Sequence, residues 1–586
     1  MTHQTKTVDL ICSIIGSYLV RAEGDKFDIH GKKKLTEKLE IFLKQGRPIE
    51  LVLPGFPFKS PASHSKTSGQ KPDLGEVVAL QRIEEMCKAI VNIYPKGVSF
   101  TIVSDGTTFN DIIGVSDDDM RYYRDTVQTL LSCPHITWAS LTDLVGECDS
   151  PDAYRAALIE KANLPYADLN AFIKAVSANT ELRTAHDSMC SFLYNDLLPR
   201  SENSFDEDAF FAAIREKSYQ MTYRHRALSA VVANTYPEAI RLSVHQYTNS
   251  GEKLTFGFDA TTNPVAPWHK VTFRKLDGSI SFVDRSHINL SKSFTIYHDD
   301  QVWMYQESDS EVIEGLHMSV IRPPQFGLDI KSEETGEALS LSPAMIKNLT
   351  EFFSFLCLRN CGFEEKQPLV DYCEPFGDIY QWHFGSVHVV QAEENPKGFV
   401  QSIEKTPIHW DLSMLPQDHE RVKDDEWFCA DLFMLYCKTA PQVGEGETVV
   451  INGRDVLSDA GPETVEQWRG TEVTYNTKMT YFGGHPRTYP LIHTHPFTKE
   501  PIFRYMEGSN SQLQTFTQKV EGISTEKSRR FIEQMNALIY SDKYLYEHSW
   551  EAGDMIVIDN HLTLHGRNPM TEASSARELW RVQIIS

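Results

Sequence analysis

Hydrophobic and polar positions follow different patterns in the two halves of the chain. In the first half, short apolar runs such as residues 48–53 and 98–103 interrupt helical patterns, and each leads into a polar, glycine-containing loop. Such runs indicate an α/β domain with a largely parallel sheet, in which ligands bind beyond the carboxyl ends of the strands. The second half is richer in short strands and turns, which is typical of a β-sandwich or jelly roll.

A polar region between residues 308 and 340 separates the two patterns. It contains acidic runs and a proline pair, which cannot continue a helix or a central strand. Beyond it, Ser342 and Pro343 are typical of a helix start, and apolar residues follow at helical spacing as far as Leu356. The predicted domains are residues 1–311 and 312–586.

Charge and cysteine content exclude several classes of protein. The net charge is -24, from 81 acidic and 57 basic residues, and so acidic a surface repels nucleic acid and anionic membranes. The ten cysteines form no CxxC pair, which argues against zinc ribbons and disulfide scaffolds and fits a reducing compartment. With no apolar run long enough for a membrane span and no recognisable leader, we predict a cytoplasmic enzyme without nucleic-acid or membrane partners.

The sharpest chemical signal is His409-Trp410-Asp411, followed far downstream by His565. Side chains two residues apart on an extended segment point to the same side, so His409 and Asp411 can bind one ion together. A third ligand from a distant strand completes a 2-His-1-carboxylate face, which leaves positions open on non-haem iron(II) for a cosubstrate and dioxygen.

The last segment of the chain adds cations to this prediction. Polar and apolar residues alternate there, so Arg577, Arg581 and Gln583 share one face if the segment is a strand. Two arginines on an inward face are costly unless they meet anions. A dicarboxylic cosubstrate supplies such an anion, because arginine binds carboxylates through a bidentate fork.

At these residues the second half resembles the taurine/2,4-D dioxygenase-like family of iron(II)/2-oxoglutarate enzymes, which implies a double-stranded β-helix (jelly-roll) domain that consumes O2. The spacing from His565 to Arg577 is one residue longer than the family pattern, so Arg577 and Arg581 can exchange roles. The site implied by the resemblance consists of His409, Asp411 and His565 for iron(II), Thr448 and Arg577 for the distal carboxylate of 2-oxoglutarate, and Arg581 beside that carboxylate or facing the substrate.

Four polar segments in the first half, at residues 53–60, 104–111, 236–245 and 266–270, carry further candidates. Taken singly, the first is equally typical of a structural turn, and histidines such as His245 and His269 are often satisfied core residues. Together the segments supply cations that can grip a phosphate, namely Lys59 and Arg241, and groups that can move protons, namely Asp105, Asp111 and His245.

In this order the segments resemble the pyoverdine/dityrosine biosynthesis family, which contains the isocyanide synthases, over about residues 8–305. The resemblance implies a Rossmann-like α/β domain that joins the amino nitrogen of an amino acid to ribulose 5-phosphate and keeps one sugar carbon as the isonitrile. Lys59, Arg241 and Lys270 would then clamp the phosphate, while Asp105, Asp111 and His245 transfer protons. Residues 61–70 depart from the family pattern and are interpreted as a flexible loop that closes over the substrate.

The two resemblances together predict a bifunctional enzyme of secondary metabolism, an isonitrile synthase fused to a dioxygenase that oxidises its product. Joining both in one chain raises the local concentration of the intermediate at the second site. One alternative is an enzyme that forms an N-formyl amino acid, because an isonitrile hydrates to a formamide. Another is a metal-responsive binding protein with decayed sites.

Overall fold

The computed structural model describes residues 3–131, 133–198, 206–259, 264–415, 419–425, 427–477 and 486–585. The chain divides into two compact units, Met1–Ser308 and Asp309–Ser586, and each has hydrophobic clusters of its own. The predicted boundary between residues 311 and 312 lies close to this division; which activity belongs to which part stays a prediction. Within the described ranges, no helix is both long enough and apolar enough to cross a membrane.

The first unit combines a parallel sheet with many helices. Its strands are β1 (Ile49–Gly55), β2 (Val98–Ser104), β3 (Ile136–Ala139), β4 (Ile240–Ser243), β5 (Leu254–Thr255), β6 (Val271–Arg274), β7 (Ile280–Val283), β8 (Ser293–His298) and β9 (Gln301–Glu307). Its helices are α1 (His3–Ser17), α2 (Lys32–Gln45), α3 (Leu74–Ile93), α4 (Gly106–Ile113), α5 (Asp117–Leu130), α6 (Leu141–Val145), α7 (Pro151–Ala162), α8 (Leu169–Ala178), α9 (Thr180–Leu197) and α10 (Glu207–Thr235).

The sheet of the first unit has the strand order β3-β2-β1-β4-β5, and its neighbouring strands run parallel. The apolar runs at 48–53 and 98–103 fall in β1 and β2, whose buried residues pack in the core because both faces of the sheet are covered. The α/β class is therefore confirmed, and the Rossmann-like comparison stays a prediction. The carboxyl ends of β1, β2 and β4 lie at one edge of the sheet.

The second unit is built mainly from antiparallel strands. They are β10 (His317–Arg322), β11 (Phe326–Lys331), β12 (Phe355–Leu358), β13 (Asp378–Ile379), β14 (His388–Gln391), β15 (Thr406–His409), β16 (Leu432–Thr439), β17 (Thr448–Asn452), β18 (Glu472–Thr477), β19 (Arg487–Pro490), β20 (Ile492–Thr494), β21 (Pro501–Phe503), β22 (Ser509–Asn510), β23 (Thr515–Val520), β24 (Leu545–His548), β25 (Met555–Asp559), β26 (Thr563–Arg567) and β27 (Glu578–Ile585). The helices are α11 (Pro343–Phe353), α12 (Lys366–Cys373), α13 (Glu420–Asp424), α14 (Gly453–Arg469) and α15 (Thr525–Ile539).

Two sheets of the second unit position its chemistry. One contains the order β10-β11-β12-β25-β16-β27-β13, with β14 also paired to β27. The other has the order β15-β26-β17-β24. Strands β25 and β26 follow each other along the chain, so a single short turn links the two sheets. The name jelly roll stays a prediction for this arrangement.

The predicted helix after Ser342 begins as expected and ends earlier. The Oγ of Ser342 accepts a hydrogen bond from the backbone N–H of Met345 at 3.0 Å, and α11 starts at Pro343. Ser354 then adopts a left-handed conformation with φ 69°, which ends the helix. Leu356, which continued the helical spacing, instead lies in strand β12, because an apolar run of this length fits a buried strand equally well.

Candidate active sites

The three predicted iron ligands converge in the second unit. His409 at the end of β15 is paired with His565 on β26, and the centroids of their rings are 4.4 Å apart. Their Nε2 atoms lie 3.7 and 3.5 Å from Oδ1 of Asp411. One ligand atom from each residue lies within 4.8 Å of the others, and no second such group of three occurs among the residues that the structure describes.

The chemistry of this donor set fits iron(II). Two imidazole nitrogens and one carboxylate form the face that non-haem iron oxygenases use. The Nδ1 of His409 lies 2.8 Å from the carbonyl oxygen of Pro407. If Nδ1 carries the proton and donates it to this carbonyl, the lone pair of Nε2 is free for a metal. Burial lowers the pKa of His565 to about 4, so its imidazole is neutral. Burial opposes ionisation of Asp411, but Arg581 and the two histidines hold its pKa well below the usual value.

Hydrogen bonds fix the carboxylate of Asp411 from one side. Gln583 donates from Nε2 to Oδ2 at 2.7 Å, and Arg581 donates from Nη1 to Oδ1 at 3.1 Å. Trp382 donates to Oε1 of Gln583 at 2.8 Å, while Nη2 of Arg581 lies 2.7 Å from Nδ1 of His388. Arg581 and Gln583 share a face of β27, as the alternation predicted. The sequence analysis missed Trp382 and His388, because no local pattern links them to β27.

Arg577 lies in a different setting from Arg581. It is 1% exposed, and its Nε and Nη1 have no hydrogen-bond partner within the described ranges. Burial and the neighbouring Arg567 lower the pKa of Arg577 to about 9. The Nη groups of Arg567 donate to backbone carbonyls, whereas its Nε is also unpartnered. Two buried cations with unused N–H groups fit a ligand carboxylate.

Thr448 lies on β17 opposite Arg567 on β26. Its Oγ1 accepts a hydrogen bond from Nε1 of Trp550 at 3.1 Å, and the residue is buried. The hydroxyl can still donate to an anion held by the arginines. The residues therefore fit the distal carboxylate of 2-oxoglutarate as well as the iron.

A cavity of about 120 Å³ opens onto the iron ligands. Its polar wall includes His409, Asp411 and Arg581, and the rest is largely apolar. A substrate there would be held by hydrophobic contact and oriented by few polar groups. The apolar side chains are Trp382, Phe399, Val400, Ile408, Trp410, Leu412, Met414, Met506 and Phe516.

In the first unit, a cavity of about 410 Å³ lies at the carboxyl edge of the parallel sheet. A smaller cavity of about 40 Å³ shares Asp105, His225 and His245 with it and adds Arg241 and Lys253. Three groups that transfer protons therefore lie on walls common to both cavities. The polar residues of the larger cavity are Lys66, Asp105, Ser188, His225, His245, His269 and Lys270, and its aromatic residues are Phe58, Phe109, Phe192 and Trp268.

The shared wall holds a carboxyl and two imidazoles in unusual states. The Oδ1 of Asp105 has no hydrogen-bond partner among the described residues, and burial raises the pKa of Asp105 to about 7. His245 is exposed at the surface of the cavity, and desolvation by the surrounding protein, followed by Lys253, lowers its pKa. Burial and His245 lower the pKa of His225 well below its usual value. The two rings are 5.4 Å apart. A carboxyl whose pKa lies near neutral pH suits acid/base catalysis, and the two imidazoles beside it are neutral.

The smaller cavity is positively charged. Arg241 donates from Nη2 to the Oγ of Ser229 at 2.9 Å, and Lys253 donates to the hydroxyl of Tyr247 at 3.2 Å. Burial, followed by Arg241, lowers the pKa of Lys253 to about 8. No ion pair to either cation is found in the described part of the chain, whereas Lys270 in the larger cavity pairs with Asp284 at 2.7 Å.

The structure does not place Lys59 at either cavity. Its ammonium is buried, lies 2.9 Å from carboxylate oxygens of Asp73 and Glu76, and donates to the carbonyl of Pro267 at 3.0 Å. These contacts use its three N–H groups within the protein, so this geometry gives no support to a direct contact between Lys59 and phosphate.

Asp111 likewise lies outside the residues that line the cavities. It forms ion pairs with Arg224 at 2.7 Å and with Arg155 at 3.4 Å. Asp111 lies six residues after Asp105, further along α4. Its arginine partners come from α7 and α10. This geometry gives no support to its predicted role in proton transfer.

Several residues of the cavity were missed by the sequence analysis. His225 lies in α10 and Lys253 just before β5, neither in a recognisable motif. Lys66 belongs to the segment interpreted as a flexible loop; it pairs with Asp196 and lies over the ring of Phe192 at 5.1 Å. The sequence offered one signal for Lys66: it is the single lysine in a segment of mostly small and polar residues, 61–70.

An acid/base cavity and a 2-His-1-carboxylate centre together define an enzyme with two active sites. The family of pyoverdine/dityrosine biosynthesis proteins matches residues 39–295, and the taurine catabolism dioxygenase TauD, TfdA family matches residues 322–583. The chain belongs to the isocyanide synthases of the first family, here fused to an iron(II)/2-oxoglutarate-dependent dioxygenase of the second. It acts in isonitrile biosynthesis with oxidative tailoring.

Similar proteins cover the whole chain or one half of it. Isocyanide synthase A from Aspergillus fumigatus is 27% identical over 98% of this chain and 98% of its own length. An L-tyrosine isonitrile synthase from Xenorhabdus nematophila is 32% identical over 40% of this chain and 70% of its own length. A tyrosine isonitrile desaturase from Pseudomonas aeruginosa is 26% identical over 44% of this chain and 88% of its own length.

Proposed function

We propose that residues 1–311 join the amino nitrogen of an amino acid to ribulose 5-phosphate and leave one sugar carbon on nitrogen as the isonitrile. Residues 312–586 then oxidise this product by desaturation, decarboxylation or hydroxylation with iron(II), 2-oxoglutarate and O2. The observation that carries the proposal is the wall of Asp105, His225 and His245 shared by a cationic cavity and an aromatic one.

Arg241 and Lys253 form the phosphate end of this site. Both are partly buried cations without an ion pair in the described ranges, so a phosphate would gain charge-assisted hydrogen bonds without displacing a protein carboxylate. Burial, followed by the cations Arg241 and Arg226, lowers the pKa of Lys253, and a bound phosphate would offset the effect of the two cations.

Asp105, His225 and His245 carry the proton transfers. Imine formation between an amine and a ketone releases water, and it needs one group to take a proton from nitrogen and another to protonate the leaving oxygen. The pKa of Asp105, about 7, lets its carboxyl act in either direction near neutral pH. The neutral imidazoles can accept the protons that later steps release.

The aromatic end of the larger cavity holds the amino acid. Phe109, Phe192 and Trp268 offer walls to its side chain, and the cations Lys66 and Lys270 lie where they can face its carboxylate. Each of these lysines already pairs with a carboxylate of the protein, so they orient the substrate more than they bind it.

In the dioxygenase unit, Arg577 and Thr448 hold the distal carboxylate of 2-oxoglutarate, and Arg581 faces the iron and the substrate. The unpartnered N–H groups of Arg577 support the first assignment, and the hydrogen bond from Arg581 to Asp411 supports the second. When bound by His409, Asp411 and His565, iron(II) supplies activation of dioxygen. The protein positions the substrate and excludes water.

The proposal is tested by mass spectrometry of reactions with pooled amino acids, iron(II), 2-oxoglutarate and ribulose 5-phosphate labelled uniformly with ¹³C. We expect one amino acid to gain a single labelled carbon on nitrogen and then to lose hydrogen, lose carbon dioxide or gain oxygen. The variant His409→Ala should accumulate the labelled isonitrile without oxidation. Succinate release in the wild type with no labelled amino acid would refute the assignment of the first unit.

A matched pair of carboxyl variants tests the shared wall. Asp105→Asn should abolish transfer of the labelled carbon, whereas Asp111→Asn, near the opposite end of α4 and outside the cavities, should retain it. Equal loss in both variants would contradict the placement of the chemistry at Asp105.

A further inference from the structure

The second unit contains a cavity of about 350 Å³ whose chemistry the iron site does not use. A cysteine and a histidine from different loops meet there: Cys429 precedes β16, and His561 follows β25. Neither is a member of the iron-binding set. The residues of this cavity that bear on its chemistry are Trp410, Cys429, His493, Arg504 and His561.

Cys429, His561 and Asp431 form a chain of contacts from a thiol through an imidazole to a carboxylate. The Sγ of Cys429 lies 3.8 Å from Nδ1 of His561, and Nε2 of His561 lies 2.7 Å from Oδ1 of Asp431. The carboxylate holds the proton of the ring on Nε2, so Nδ1 carries the lone pair, and this lone pair accepts a hydrogen bond from Nη2 of Arg504 at 2.8 Å. The ring therefore positions the guanidinium beside the sulfur.

Arg504 adds a fixed positive charge beside the sulfur. Its Nη2 lies 3.6 Å from Sγ of Cys429 and 2.8 Å from Nδ1 of His561. Its Nη1 donates to the carbonyl of Asn560 at 2.7 Å, and its guanidinium lies over the ring of Trp410 at 5.1 Å. The guanidinium is thus held in place and can stabilise negative charge on sulfur.

We propose that Cys429 is a nucleophilic thiol that reacts with a soft carbon electrophile bound in this cavity. The thiol gives up its proton to solvent in the cavity, Arg504 stabilises the thiolate, the sulfur forms a bond to carbon, and either a leaving group departs with its electron pair or an activated double bond takes up a proton from solvent. The inference rests on the contacts of Cys429 and is independent of the substrates proposed above.

Another cysteine of the same unit offers a matched internal control. Cys357 lies 3.6 Å from Nδ1 of His548, whose Nε2 lies 3.4 Å from Asp554. Cys357 lines none of the cavities described above, and burial raises its pKa. Similar partners without access to a cavity should leave Cys357 unreactive, while the half-buried Cys148 of the first unit reports the reactivity of an ordinary thiol.

The test is timed alkylation of the native iron-loaded protein with iodoacetamide, in which the S–C bond forms and iodide leaves, followed by peptide mass spectrometry. We expect Cys429 to react about tenfold faster than Cys148 even though it is more buried, and Cys357 to stay unlabelled until the protein unfolds. Labelling of Cys429 no faster than that of Cys148 would overturn the proposal.

Variants separate activation from simple access. Asp431→Asn should slow labelling of Cys429 about tenfold, the equivalent of about 1.4 kcal/mol, by weakening a charge-assisted hydrogen bond. Arg504→Lys should also slow it, because the geometry of the guanidinium is lost. If Arg504→Lys does not fold, judged by circular dichroism, Asp431→Asn decides alone. An unchanged rate in folded Asp431→Asn contradicts the role of His561 in positioning Arg504 beside the sulfur.

Discussion

The iron-type centre of the second unit and the cavity of the first unit obtain their chemistry in opposite ways. The iron ligands lie on or next to two paired strands, and backbone pairing sets His409 opposite His565. The groups of the first unit come from the end of β2, from α10 and from the end of β4. Their function depends on desolvation, which raises the pKa of Asp105 and lowers the pKa of His245. Both shifts favour the uncharged form of the group.

This difference teaches that the two sites tolerate change differently. A metal centre needs particular donor atoms at particular positions, so loss of one ligand removes the site. An acid/base cavity needs a dielectric environment and a balance of charges, so loss of one group alters the others by degrees. Four predictions test this contrast, from the largest expected effect to the smallest.

The variant His565→Ala should lower the rate of succinate release by more than about a thousandfold, because one of three ligands is removed. Iron binding, measured by calorimetric titration, should be lost in parallel. Transfer of the labelled carbon by the first unit should persist. His493→Ala, which removes a histidine that lines another cavity of the same unit, serves as control and should keep iron binding. Iron bound by His565→Ala with wild-type affinity would contradict the ligand set.

The variant Arg577→Gln should raise the KM for 2-oxoglutarate about a hundredfold, because two charge-assisted hydrogen bonds are lost. Arg581→Gln should change this KM little and should instead weaken oxidation of the isonitrile. Steady-state succinate assays at varied 2-oxoglutarate distinguish the two arginines. The reverse pattern would mean that the two side chains exchange the roles assigned to them.

The variant Arg241→Gln should raise the KM for ribulose 5-phosphate about tenfold, since one charged hydrogen-bond donor is removed while Lys253 remains. Lys253→Gln should act similarly, and the double variant more strongly than either alone. Ser188→Ala changes a residue of the larger cavity and leaves the charges of Arg241 and Lys253 intact, so it serves as the control. Unchanged KM values in both single variants would place the phosphate elsewhere.

The variant Asp105→Asn should stabilise the protein at high pH. The pKa of Asp105 is raised from 3.8 to about 7, so between these values the unfolded chain ionises while the folded carboxyl stays protonated. Stability of the wild type therefore falls as pH rises from about 4 to about 7 and then levels off. We expect the variant to gain at least about 1 kcal/mol in the free energy of unfolding at pH 8 and nothing near pH 4. Denaturant titrations at both pH values measure this difference.

The success of the sequence analysis followed the same contrast. The iron ligands were predicted residue by residue, because His409 and Asp411 are neighbours and their spacing already restricts the geometry. The sequence left open which of Arg577 and Arg581 binds 2-oxoglutarate, because both lie on one alternating segment. Only the fold around β27 shows that Arg581 meets Asp411 and His388, whereas Nε and Nη1 of Arg577 have no hydrogen-bond partner among the described residues.

In the first unit, residue type alone did not reveal the partners of two candidate residues. Lys59 and Asp111 have the right chemistry and lie near the right strands, but Asp73, Glu76 and two arginines neutralise them. His225 has no motif around it and nevertheless reaches the shared wall. The sequence does not show which partner a charged side chain meets in the folded chain. It therefore could not predict which charged side chains remain available for a ligand.

The sequence by itself determined the two families and the α/β class of the first unit, and it supplied the candidate iron ligands that the fold brings together. Those features depend on periodicity and on residue types at short spacing, which the chain order preserves. The tertiary structure decided which cations remain unpaired, which carboxyl and imidazoles share a wall, and that Cys429 meets His561 and Arg504. These properties arise from burial and from contacts between distant segments, and both exist only after folding.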